Sequence, residues 1–189
     1  MHIQRRYEVA TSSLEGVSQV DSVRAFAAAH QLRAIKTEDL PMVAAMLVAE
    51  GHESEGLLEL ACLSATSSPW AIDAALAHTL EELGIEPPSL DESSGVVAQL
   101  LLLSHPDEDH PVLRRFARLP YRFEPHSDLL FEAMSCAEYL DCDCIPGARE
   151  RAHEFEDRIR ARPRLDVTTD FADDLTRALQ PRTFGHDDY

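Results

Sequence analysis

The side chains best equipped for chemistry lie in the second half of the chain. Cys136, Cys142 and Cys144, with His126 and His153 near them in sequence, supply enough sulfur and nitrogen for a tetrahedral zinc ion. Their spacing argues against one. Structural zinc sites usually pair cysteines separated by roughly two to four residues, whereas Cys142 and Cys144 have a single residue between them and Cys136 falls inside a helical pattern. These five residues remain the metal candidates, and inert thiols are the expected outcome; no cofactor is assigned. Cys62, among Leu58, Ala61 and Leu63, is expected to be a buried thiol and not a nucleophile.

Other constellations fall short for stated reasons. His105 and His110 bracket Asp107, Glu108 and Asp109 in a proline-bounded loop, but the loop lacks the alternating Asp/Asn and central Gly of a calcium site and is expected to be a solvated connector. Glu150 and His153 stand one helical turn apart, as in di-iron bundles, which require that pair twice. No second E-x-x-H exists. Phosphate loops, dinucleotide fingerprints, H-E-x-x-H and G-x-S-x-G are absent from the sequence, so no catalytic residue is assigned and an enzyme is the less favoured reading.

Charge patterning says more. From Thr37 to Leu113 there is neither lysine nor arginine, and fifteen carboxylates lie in that run; five bases precede it against three acids, and twelve follow it against sixteen. With a formal net charge of −17, nonspecific binding to nucleic acid and anionic membranes is disfavoured. A one-sign surface attracts basic partners instead. Glu53, Glu55, Glu59, Asp73, Glu81 and Glu82 are the carboxylates expected to meet them. Trp70, the sole tryptophan, is a candidate anchor, but Ala74 and Ala77 on its own stripe argue for a core position.

The elements that must carry these residues are helical. Capping and periodicity predict helices over Ser22 to about Leu32, Leu40 to Glu50 with a stop at Gly51, and a short one after Ser54 ending near Leu63. The clearest signal follows: Ser68 caps, Pro69 takes the first position and Gly84 closes. Glu81 and Glu82 in its last turn oppose the helix dipole, which calls for something positive nearby. IEPPSLDESSG reads as a break before a central, largely apolar helix VVAQLLLLS. VLRRFARL, a helix capped by Ser127, another opened by Pro146 and ended at Pro163, and a last one capped by Thr169 or Asp170 complete the chain. In the helix after Pro146, Glu154–Arg158 and Glu156–Arg160 are expected to pair.

The fold class is therefore all-α: a compact single-domain bundle of about seven to nine helices over residues 1–189, not a regular solenoid, with 1–17 and 182–189 loosely ordered. No stretch is apolar enough to span a bilayer or to serve as a signal peptide, so a cytoplasmic protein with reduced thiols is expected. LVAEGHESEGLLELACLS and the following Pro-led helix ending in EELGI, within residues 37–85, resemble a pattern in uncharacterised small all-helical bacterial proteins, carried by Gly51, Ser54, Leu57, Leu58, Leu60, Ala61 and Leu63. The resemblance implies a helical fold and a bacterial origin, without any activity or site. The expected function is an acidic protein-interaction module, of immunity or antitoxin type, covering a basic effector. The alternatives are a small metal-binding protein or enzyme using the His and Cys residues of the second half, and a helical homo-oligomeric scaffold.

Overall fold

The computed structural model describes residues 19–52, 54–116, 127–142 and 145–179. The expected loose ends, and a short extended piece from Ile3 to Val9, lie outside them. Within the described residues the chain forms nine α-helices and a 3-10 turn at Thr37–Asp39, with no strand: α1 (Gln19–Gln31), α2 (Leu40–Ala49), α3 (Glu55–Cys62), α4 (Pro69–Glu82), α5 (Leu90–Ser104), α6 (Pro111–Phe116), α7 (Asp128–Cys142), α8 (Ala148–Arg160) and α9 (Thr169–Ala178).

Local chemistry sets most of these boundaries. Ser54 and Ser68 accept the backbone N–H groups of Leu57 and Ala71 and so start α3 and α4. At the far end of α4, Gly84 takes a left-handed φ of 63° while Ile85 N–H reaches the Leu80 carbonyl at 2.8 Å and Gly84 N–H the Glu81 carbonyl at 3.1 Å. That is a Schellman closure. Gly51, with φ 91°, closes α2 in the same way through His52 N–H and the Leu47 carbonyl. Closure of α1 repeats the pattern with Arg33 in the left-handed position, where a Cβ is unfavourable.

Two starts differ from the sequence expectation. Helix α5 begins at Leu90, inside the supposed break, because Ser89 and Glu92 form a reciprocal capping box. Helix α9 is capped by Thr168, whose hydroxyl accepts from Phe171 N–H at 3.0 Å, one residue before the expected cap.

Helix α5 is the hub, packing against α1, α6, α7, α8 and α9, as its nearly all-apolar sequence requires. One continuous core joins the elements, with Phe26, Phe116, Phe155 and Phe171 fully buried. Helices α2, α3 and α4 stack in succession as an outer layer. Where α3 crosses α4, Gly56 lies so close that an added Cβ would stand 2.6 Å from the Thr79 backbone nitrogen.

Candidate protein-interaction surface

The buried stripe of α4 is Ile72, Ala75, Leu76, Thr79 and Leu80. Trp70, Ala74 and Ala77 therefore lie on the opposite face, and Trp70 is 85% exposed. This corrects the core position expected for Trp70. Alanine fits either side of a helix, so two overlapping stripes were open in the sequence, and the β-branched and leucyl side chains took the inner one. The result is an apolar ridge at i, i+4 and i+7 on the outermost helix. Asp73 and Glu81 flank it, both exposed.

The structure sorts the predicted partner-binding acids into three kinds. Glu82 is structural: its carboxylate accepts the Glu55 N–H at 3.0 Å and the Gly56 N–H at 2.9 Å, so it closes the N-terminus of α3 from the end of α4. Those two amides, the Gly56 one foremost, hold its pKa below the ordinary carboxylate value. The positive group that the last turn of α4 requires is thus not an arginine but the dipole of the neighbouring helix. Asp73 and Glu59 meet histidines, with His30 Nε2 and His78 Nδ1 each at 3.2 Å. Glu55 and Glu81 project into solvent, and Glu53 lies outside the described residues.

Among the described residues, the side-chain ion pairs made by carboxylates of α3 and α4 are with histidines and none is with an arginine. Arginines of the second half are used at home instead: Arg115 on Glu108, Arg158 on Glu132, Arg160 on Asp157 and Arg177 on Asp174. Arg158 reaches across to α7 and not along α8 to Glu154.

The metal candidates do not assemble. Cys142 is disulfide-bonded, contrary to the expectation of four reduced thiols. Cys136 is a free, buried thiol whose pKa burial, with Glu132 adding to it, pushes above the ordinary value, which weakens it as nucleophile and ligand. His153 stacks on His110 with ring centroids 4.5 Å apart. Cys144 and His126 lie outside the described residues, among which no group of three or more His, Cys, Asp or Glu side chains is placed to hold a metal. Cys62, expected to be buried, is exposed at the end of α3.

One polar constellation was not foreseen. Glu156, which pairs with Arg160 as expected, is 2% exposed. It accepts the Val112 N–H of α6 at 3.2 Å and stands 3.5 Å from His110 Nδ1, while Arg160 approaches it at 3.6 Å. His110 is itself 5% exposed with a left-handed φ of 54°, directly before Pro111, where extended backbone is preferred. Its ring borders a cavity of about 460 Å³ between α6 and α7. The arrangement ties α6 to α8 by a buried ion and backbone contact. Only the i,i+4 spacing to Arg160 signalled Glu156, and that spacing reads the same on a buried face as on an exposed one.

No protein-family model, curated protein or solved structure matches the chain. No helix among the described residues is long and apolar enough to cross a membrane.

Proposed function

We propose that the protein is an acidic protein-interaction module whose outer α4 face binds a basic protein surface, in the manner of an immunity or antitoxin protein covering the basic site of an effector. The observation that carries this reading is Trp70, 85% exposed on an apolar ridge flanked by carboxylates. Exposed tryptophan is costly to leave in water and supplies a large, rigid contact at the centre of interfaces. Asp73, one turn on from Trp70, and Glu81 and Glu55 at the far end of α4 give this layer a charge that steers and orients a cationic partner. A second copy of the same chain is a poorer occupant, because a two-fold interface would set this acidic ridge against itself.

The test is co-purification from the native cell with the intact chain and with Trp70→Ala. A basic protein retained at low salt, released by about 0.5 M salt as screening shortens to a few ångströms, and absent from the variant is the expected result. Equal retention by Trp70→Ala, or a partner of acidic character, overturns the assignment. A two-fold dimer seen by light scattering and abolished by the same substitution would replace it with self-association.

A further inference from the structure

We infer that the protein carries a separate anion site, a groove between α5 and the segment joining α8 to α9, suited to a short-chain amphipathic anion such as an alkyl carboxylate. The groove encloses about 210 Å³ and is lined by Arg160, Arg162 and Arg164 together with Leu102, Leu103 and Leu165, and no carboxylate is among its lining residues. In a chain with 34 acidic residues, three arginines around a groove with no carboxylate in its lining are a local departure from the overall charge.

The arginines differ in availability. Arg160 is engaged by Asp157 at 2.9 Å and Glu156 at 3.6 Å. Arg162 and Arg164, among the described residues, make no ion pair, although both are exposed in a strongly acidic protein. Their backbone is nonetheless fixed. Gln99 Nε2 donates to the Pro163 carbonyl at 2.8 Å, between the two arginines, and Asp166 N–H donates to Asp21 Oδ2 at 3.0 Å. Arg162, in the bend that ends α8 with its N–H on the Ile159 carbonyl at 3.2 Å, and Arg164, on the far side of Pro163, both line the groove. Gly95 makes room for the first: a Cβ there would stand 2.1 Å from Arg162 Nη1. Gln99, Arg162 and Leu165 also border an adjoining cavity of about 550 Å³, lined on its far side by Glu86 and Glu92, so Arg162 stands between the two.

Guanidinium forks bind carboxylate and phosphate oxygens through paired N–H donors. Leu102 and Leu103, only partly covered by the core, and Leu165 give the tail an apolar floor. The groove is smaller than the roughly 300–1,000 Å³ of most small-molecule pockets, which favours a short chain over a long lipid tail.

Titration calorimetry of the full chain with octanoate tests the site. One saturable site is expected, weakened at least about tenfold when Arg162→Ala and Arg164→Ala are combined, as the loss of charge-assisted hydrogen bonds requires. Octanol, without the head group, and acetate, without the tail, should each bind at least about tenfold more weakly than octanoate. Both arginines are exposed, so the double variant should retain the wild-type melting curve; Arg162→Lys with Arg164→Lys, keeping charge but not the fork, should fall between. No saturation by octanoate, equal binding by the alanine variant, or acetate binding as tightly as octanoate each overturns the proposal. Co-sedimentation with phosphatidylglycerol vesicles should be absent; vesicle binding lost in the double alanine variant would reassign the groove to a membrane surface and overturn the soluble-ligand reading.

Discussion

From Glu108 onward several carboxylates are met by arginines nearby in the chain or on the facing helix, as in Arg115–Glu108, Arg177–Asp174 and Arg158–Glu132. In the α3–α4 layer the same kind of side chain is met by backbone amides, as at Glu82, or by histidine, as at Asp73 and Glu59. The two halves thus solve the problem of excess acid differently. Where arginine pairs with acid in the second half, the pair leaves little field around it. The first half caps one helix with another helix's acid and leaves Glu55 and Glu81 exposed at the end of α4 opposite Trp70. Its negative charge is available to a partner, and that asymmetry is the physical content of the proposed function.

The second half breaks most readily where His110 and Glu156 are buried together. Glu156→Ala removes the acceptor for Val112 N–H and the neighbour of the His110 ring, leaving buried polar groups unmet, a loss of about 3 kcal/mol. Urea denaturation at unchanged m-value reads it directly. Glu156→Gln keeps an acceptor and should lose less, which separates the hydrogen bond from the charge. In the first half the weak point is not a charge but a contact: Gly56→Ala places a methyl against the Thr79 backbone. Backbone cannot swing aside as a flexible side chain can, so α3 and α4 must separate, at a cost of about 2 kcal/mol. A stability change below about 0.5 kcal/mol would show that the two helices are not locked at this crossing.

Much of the fold was legible because it rests on local signals. Ser54, Ser68 and Ser127 as caps, Pro69 at a first turn, Gly51 and Gly84 as stops and the apolar run of α5 all act within a few residues of themselves. What was misread is either a local signal masked by its neighbours or a choice that distant parts of the chain decide. Arg33 closes α1 in the conformation glycine favours, with no glycine to announce it. Ser89 and Glu92 had the spacing of a capping box, but paired prolines before them masked it. Trp70 changed sides, and the burial of Glu156 went unannounced, because a stripe of alanines, or a Glu four residues before an Arg, is compatible with either face until another helix packs against it. The acids of the interaction surface were visible as a set, whereas the use of Glu82 as a cap required knowing that α3 begins where α4 ends.

Acidification should sharpen the contrast within the outer layer. His52 follows Gly51 at the closure of α2, a position that buries it at 7% exposure, and burial lowers its pKa from 6.5. Burial lowers His30 likewise, with Asp73 opposing it. The unfolded chain then binds more protons than the fold below the ordinary histidine value, so stability is complete above about pH 6.5 and falls as pH decreases through that value. Glu82, held below 4.5 by backbone amides, loses its contribution in a lower window, as pH falls from the unfolded carboxylate value through its folded one. Glu50, raised by burial and then by Asp174 and Asp170, acts in the opposite sense, since its folded form gains a proton first. Urea midpoints between about pH 7.5 and about pH 5.5 should therefore decline, and His52→Gln should flatten that decline. An unchanged slope in the variant would exclude His52 as a source.

The smallest expected effect on stability is the most informative about function. Trp70 touches so little of the fold that Trp70→Ala should change the unfolding free energy by less than about 0.5 kcal/mol. A buried tryptophan would instead lose about 3–5 kcal/mol on truncation. The two readings of this residue therefore differ by more than the error of a denaturation curve. A near-zero change, together with loss of the basic partner, would place the free energy of Trp70 in binding and not in folding. Charge reversal at Glu81, equally exposed on the same face, should then slow association and steepen with falling salt, while leaving the melting curve unmoved. If Trp70→Ala were instead to destabilise the chain by several kcal/mol, the ridge would be part of the core and the outer layer would have no apolar centre with which to hold a partner.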